Sequence, residues 1–303
     1  MINLSVDLCG VHFENPIIGA SGTYGFGEEL EQFYPNSLMG GISGKGLTLK
    51  PRMGNTPSRI AETSSGIINS VGLQNPGIDY YIEKILPNIV NKGTKVIANV
   101  AGACEADYIE IVSRLQDQPV DMIEVNISCP NVHEGGIPFG ARPQVVESIT
   151  RAAKKASPNK PIMMKLSPNV ADIREAAVAA QEGGADCISL INTLTGMAID
   201  VHKRKPILKN VVGGLSGPCI KPVALRMVYQ AAHAVDIPVV GMGGIMTGED
   251  VIEFMICGAK AVQVGTANLV NPYACVKILD EMNAYLEKHN INDINNLIDT
   301  LEV

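Results

Sequence analysis

In Glu124-Val-Asn126-Ile-Ser-Cys129-Pro130-Asn131-Val-His-Glu-Gly135-Gly136, two amides, a thiol and a glycine pair follow the run Met122–Val125, and a proline directly after the thiol restrains the backbone. A thiol at the mouth of a strand can act as nucleophile, base or metal ligand once its pKa of ~8.5 is lowered or a proton acceptor stands near. A lone cysteine is also often a small buried hydrophobe, so Cys129 needs support from other residues. His133 and Glu134 offer an acid–base pair on the same stretch, but beyond Pro130 their setting reads as solvent. Two lysines, Lys45 and Lys165, follow small or apolar runs and could hold anionic groups. Gly243-Gly244 and Gly265-Thr266 put small residues and a hydroxyl after apolar runs, which suits phosphate binding through backbone N–H groups. The same glycines would also serve as plain tight turns.

What must position these residues is a series of short β-branched runs alternating with helical patterns. Strands are expected at 16–20, 41–47, 95–100, 122–127, 162–166, 187–191, 239–242 and 261–264. Helices are expected at 28–33, 80–90, 105–115, 144–156, 171–182, 222–234, 248–256 and 273–288, after a possible hairpin at 6–13. Eight such units predict parallel βα repeats closed into a (β/α)8 TIM barrel, with inserted loops at the C-terminal face of the strands and residues 1–303 as a single domain. The rival open sheet normally carries G-x-G-x-x-G after its first strand, and Gly19-Ala-Ser-Gly22 lacks that spacing.

In a barrel, chemistry collects where strands end. Ser21, Lys45, Asn99, Asn126 with Cys129, Lys165, Asn192 with Thr193, Gly243-Gly244 and Gly265-Thr266 all stand there. Singly, each has an ordinary reading as a solvated charge or a turn former; together they line one mouth. Two long excursions, 48–77 and 195–218, are rich in Gly, Pro, Ser and Asn. Within the first, Asn69-Ser-Val-Gly72-Leu-Gln-Asn75-Pro-Gly77 could bring amide and backbone donors close to a small planar ligand, or form surface loop.

Composition sets limits. A net charge of -7 gives no basic field for nucleic acid or an anionic membrane, and no apolar run is long enough to span a bilayer. The seven cysteines are odd in number and never spaced C-x-x-C, which argues against a disulfide framework, a zinc site or an iron–sulfur cluster held by this chain alone. The histidines are too dispersed for a metal site, so none is expected. The N-terminus lacks the pattern of a signal peptide, and a cytoplasmic location is expected.

Asn126-Ile-Ser-Cys129-Pro-Asn131, with Ser43-Gly-Lys45-Gly46, Asn69-Ser-Val-Gly-Leu73, Lys165-Leu-Ser, Ile191-Asn192-Thr193, Gly241-Met-Gly243-Gly244-Ile245 and Val264-Gly265-Thr266, resembles the dihydroorotate dehydrogenases over nearly the whole chain. Ala20-Ser-Gly-Thr-Tyr-Gly25 and Gly72-Leu-Gln-Asn-Pro-Gly77 resemble the catalytic subunit of the NAD-linked, two-component class. The quinone-linked class usually has serine at the base position and a membrane-associating extension, and the chain shows neither.

The resemblance implies oxidation of dihydroorotate to orotate in pyrimidine biosynthesis, with Cys129 as general base removing the C5 proton and hydride passing from C6 to FMN. It implies FMN phosphate on Gly243, Gly244, Gly265 and Thr266, and the flavin and ribityl chain along Ser21, Lys45, Gly46, Asn99, Asn126, Ile191 and Gly217. Lys165 would lie near the pyrimidine end of the flavin, where a fixed ammonium stabilises charge left by reduction. Lys45 would meet the substrate carboxylate, and Asn69, Ser70, Val71, Gly72, Leu73, Asn126, Asn131, Asn192 and Thr193 would bind its ring. The Gly135-Gly136 pair suggests a hinge for a Cys129 loop that closes over substrate. By the same resemblance, electrons leave through a partner iron–sulfur flavoprotein with FAD and a [2Fe-2S] cluster, two copies of which join a homodimer of this chain in a heterotetramer. A fumarate-linked single-component enzyme, a flavin barrel acting on other dihydropyrimidines, and a flavin-binding barrel without turnover are the alternatives.

Overall fold

Short apolar runs bounded by turn residues can bury both faces when helices cover the outside of a sheet. The structure, a computed structural model, describes residues 2–128, 133–134, 137–138, 140 and 142–303. Eight such runs form a closed parallel barrel: β1 (Ile17–Gly19), β2 (Gly41–Ser43), β3 (Lys95–Val100), β4 (Met122–Asn126), β5 (Ile162–Lys165), β6 (Cys187–Leu190), β7 (Val239–Met242) and β8 (Ala261–Val264). They follow one another in chain order around the ring, and Val262 pairs with Ile17 to close it. This is the expected (β/α)8 barrel.

The outer helices bury one stripe each. In α1 (Glu105–Leu115) the buried residues Tyr108, Ile111, Val112 and Leu115 recur at helical spacing. α2 (Pro143–Ala156) starts on a proline whose missing N–H costs nothing there, and ends with Lys154 and Lys155 near its negative pole. α3 (Ile173–Glu182) is capped by Asp172, which accepts from the Arg174 N–H and starts the helix two residues later than expected. α4 (Lys221–Ala232), α5 (Gly248–Ile256) and α6 (Ala274–Lys288) complete the coat, and a reciprocal Thr247–Asp250 capping box fixes the start of α5.

Three expectations needed correction. The second strand stops at Ser43 rather than Leu47; only an isolated bridge, Leu47 to Val100, continues the pairing. The 80–90 helix is broken, running as Ile78–Tyr80, a widened turn Tyr81–Ile85, and Leu86–Ile89, because Pro87 has no N–H to donate one turn back. The two excursions are not simple loops. Their segments Leu194–Met197, Val212–Ser216, Gly66–Asn69 and Ile60–Thr63 pair, in that order, as a four-stranded antiparallel sheet.

Candidate active site

The four even-numbered barrel strands each send a polar side chain to one point. Ser43 on β2, Glu124 on β4, Ser189 on β6 and Gln263 on β8 are all fully buried. Alternate strands of such barrels supply four-membered interior layers that are usually bulky and branched, so a polar layer is a departure. Glu124 is its centre. One carboxylate oxygen accepts from Ser43 Oγ at 2.6 Å and Asn99 Nδ2 at 2.5 Å; the other accepts from Ser189 Oγ and Gln263 Nε2, both at 2.7 Å. Burial alone would push this carboxyl up, but the Lys165 ammonium and the bonds from Ser43, Ser189 and Asn99 outweigh it and hold the group below the usual carboxylate range. Lys165, at the end of β5, is itself buried.

Above this layer the strand-end residues gather. Asn99 is fully buried, and its Oδ1 has no hydrogen-bond partner among the described residues. That oxygen lies against Gly46: a Cβ there would come within 2.9 Å of it and within 3.3 Å of Leu73 Cδ2. Lys45 is half-buried, and its Nζ would stand 3.5 Å from a Cβ on Gly22, next to Ser21. The loop 69–77 is stapled over β2 by Asn75, whose Oδ1 accepts from the N–H groups of Thr48 and Gly77 and whose Nδ2 donates to the Leu73 carbonyl at 2.7 Å. In that loop Ser70 Oγ is another of the buried polar atoms without a partner among the described residues.

The antiparallel sheet carries the two halves of the predicted substrate set toward each other. Asn69 Nδ2 reaches the Gly214 carbonyl at 3.4 Å, and Gly214 cannot bear a Cβ because Thr193 Oγ1 would be 2.0 Å away. Asn192 donates to Ser128 Oγ, which donates to Asn126 Oδ1 at 2.6 Å; Tyr108 holds the Asn126 carbonyl from below at 3.0 Å.

The glycine turns form a second cradle. Gly217, Gly243 and Gly244 all have positive φ (106°, 126° and 78°). A Cβ on Gly244 would meet the Lys221 N–H nitrogen at 2.8 Å and the Gly217 carbonyl at 3.0 Å, so these turns stand at the N-terminus of α4. Gly243 abuts Ile191 and Gly265 abuts Ala20, while Thr266 Oγ1 bonds Ser216 Oγ at 2.9 Å. Small residues beside a helix N-terminus suit an anion. Lys221 is already committed to Asp250 at 2.5 Å and Glu253 at 2.8 Å, leaving backbone N–H groups as the donors there. An unpartnered buried acceptor at Asn99 and two cradles that a Cβ would fill fit a planar, phosphate-bearing cofactor.

Cys129, Asn131 and the Gly135-Gly136 pair lie outside the described residues. The Glu124 layer was missed by sequence reasoning, which took Met122–Val125 as an apolar run. The available signal was a carboxylate and an amide at the middle of otherwise apolar strands, Met-Ile-Glu124-Val and Ala-Val-Gln263-Val. A cleft of about 350 Å³ on the barrel's outside is lined by Glu147, Arg174 and Glu182 among others, of which Glu147 pairs with Arg151 and Arg174 with Asp172. Among the described residues, no group of three or more His, Cys, Asp or Glu is placed to hold a metal ion, and no helix is long and apolar enough to cross a membrane.

The family model described as dihydroorotate dehydrogenase matches residues 3–286. The chain is 53% identical over 293 residues, 97% of each chain, to the "dihydroorotate dehydrogenase B (NAD(+)), catalytic subunit" of Alkaliphilus metalliredigens. It is 52% identical over 302 residues, 99% of each, to the protein of the same name from Geobacter sulfurreducens. Among solved structures, a dihydroorotate dehydrogenase from Eimeria tenella in complex with ferulenol superposes with a TM-score of 0.83 at 23% identity, covering 98% of this chain and 88% of that one. That likeness concerns the fold.

Proposed function

The chain belongs to the dihydroorotate dehydrogenase family, and from that premise we propose that it is the catalytic subunit of an NAD-linked enzyme oxidising dihydroorotate to orotate in pyrimidine biosynthesis. The observation that carries this reading is the end-to-end likeness to chains bearing that name. The mouth of the barrel agrees with it, because it joins a cation, amides and a glycine cradle within one concave end.

FMN is the flavin that the glycine cradle suits, and when bound it supplies the hydride acceptor. Gly243, Gly244, Gly265 and Thr266 would hold its phosphate end; Ser21, Lys45, Gly46, Asn99, Asn126, Ile191, Gly217 and Lys165 would line the rest. Lys45 meets the substrate carboxylate as a positive charge. Asn69, Ser70 to Leu73, Asn126, Asn131, Asn192 and Thr193 match the ring's alternating donors and acceptors and fix which face is presented. Cys129 takes the C5 proton onto its sulfur. Lys165, held near the ionised Glu124, keeps a fixed positive charge where negative charge gathers.

Electrons then pass to a second subunit, an iron–sulfur flavoprotein with FAD and a [2Fe-2S] cluster, two copies of which join a dimer of this chain in the cytoplasm. The reading is tested by adding dihydroorotate anaerobically to the FMN-loaded chain. Bleaching of the flavin absorbance is the expected result, and an oxidised spectrum that persists overturns it. Purification with a red-brown partner that confers NAD reduction favours the two-component class; rapid turnover of the chain alone with fumarate selects the single-component enzyme.

A further inference from the structure

Glu124 belongs to no substrate or cofactor contact named above, yet four strands besides its own aim donors at it. An ionised carboxylate only accepts hydrogen bonds. Every group that reaches it must therefore turn a hydrogen toward it, which fixes the orientation of two side-chain amides whose O and N atoms could otherwise be exchanged. Asn99 turns Nδ2 to Glu124 at 2.5 Å, and reversing the amide would set two oxygens against each other at that distance. The consequence lies on the far side of the amide. Asn99 Oδ1 faces away from Glu124, buried and without a partner among the described residues, beside Gly46 where a side chain would collide with it. A buried acceptor left unpaired is costly, so this position is built for a donor on a bound molecule.

We propose that Glu124 is a positioning residue that locks the Asn99 amide with its oxygen facing the cofactor, making position 99 an obligate hydrogen-bond acceptor for a hydroxyl or N–H of the flavin. The proposal rests on the flavin reading above. Asn99 and Glu124 are paired positions on neighbouring strands β3 and β4, so the carboxylate acts along the shortest path the barrel offers. Lys165, on the adjoining strand β5, supplies the charge that keeps Glu124 ionised and hence a pure acceptor.

The test is FMN titration of apoprotein, followed by fluorescence quenching, in wild type, E124Q, N99A and the E124Q/N99A double variant. Thermal unfolding of each apoprotein checks folding separately. Glutamine at 124 offers an N–H to Asn99, freeing its amide to reverse and present Nδ2 instead. FMN affinity should then fall by about tenfold or more, the scale of one buried bond lost and one donor misplaced. In the N99A background the same substitution should cost little further affinity, because its effect passes through Asn99. E124Q affinity close to wild type, or an equal loss in both backgrounds, overturns the proposal while leaving the flavin reading intact. Wild-type apoprotein that does not bind FMN overturns the flavin reading itself. Should E124Q not fold, E124Q/Q263E returns a carboxylate to the same layer. Folded protein with weakened FMN binding supports the proposal; folded protein with wild-type binding, or failure of both variants to fold, overturns it in favour of a purely structural carboxylate.

Discussion

Ser128 Oγ donates to Asn126 Oδ1 at 2.6 Å while accepting from the Asn192 side-chain amide, so the residue next to Cys129 is tied to the ends of β4 and β6 at once. Ser128 is nearly fully buried, and the tie fixes its own place at the barrel mouth. Ser128→Ala removes both bonds and should slow flavin reduction by dihydroorotate about tenfold, with FMN still bound, given ~1–3 kcal/mol for a buried polar group left without its partner. Stopped-flow reduction traces check this; an unchanged rate would remove the anchor role.

Cys129→Ala should retain FMN and lose most of its reductive half-reaction at neutral pH. General base catalysis typically contributes about 10²–10⁴-fold, and that is the deficit expected. The measurement is the rate of flavin bleaching under anaerobic conditions, with wild-type speed excluding Cys129 as the base.

Lys45→Ala is expected to weaken orotate by about tenfold or more, since a charge-assisted bond to a carboxylate is worth ~1.5–3 kcal/mol. Titration of FMN-loaded protein with orotate, read from the flavin spectrum, tests it. An identical curve in wild type and variant would mean that the carboxylate binds elsewhere.

Gly46→Ala tests the space beside the Asn99 oxygen. The new Cβ would meet Asn99 Oδ1 at 2.9 Å and Leu73 Cδ2 at 3.3 Å, filling the space beside the unpartnered acceptor. Apoprotein melting should fall modestly, because the buried Asn99 amide or Leu73 must give way, while FMN affinity drops severalfold or more. A melting loss with normal FMN affinity would place the cofactor away from this cradle.

Acid should weaken the apoprotein through Glu124 and Asp250. Burial raises both carboxyls, but Lys165 with three hydrogen-bond donors, and Lys221 with the Met246 and Thr247 N–H groups, outweigh it and depress them in the folded state. A depressed carboxyl contributes stability in full above its unfolded value, ~3.9 for Asp and ~4.3 for Glu, and loses it as pH falls through the folded value. Urea midpoints should therefore decline below about pH 4–5. A folded Glu124→Gln variant should show a shallower acid slope; slopes that coincide would mean that Glu124 is not ionised in the native protein.

The barrel was legible because its strands are short apolar runs with turn residues at both ends, such as Ile162–Lys165 and Val239–Met242, and that pattern is local. The strand-end lysines, amides and glycines stood out for the same reason. The antiparallel sheet was not legible. Gly66–Asn69 is only four residues long and Val212–Ser216 carries two glycines; they find each other across the chain, and neither advertises a strand alone. Glu124 escaped notice because its significance lies in Ser43, Ser189 and Gln263, which reach it from three other strands and from 81, 65 and 139 residues away.

The roof formed by those two excursions has a temporal side. Its central pairing joins Ile68 to Leu215, so the first excursion has no strand partner beyond its own hairpin until most of the chain is available. Contacts of such long sequence separation form slowly, because loop closure must precede them. The end of the barrel that receives ligand, like the barrel's own closure of Val262 on Ile17, thus takes shape only after distant parts of the chain have met, and a chain able to hold its substrate is one whose long loops have closed.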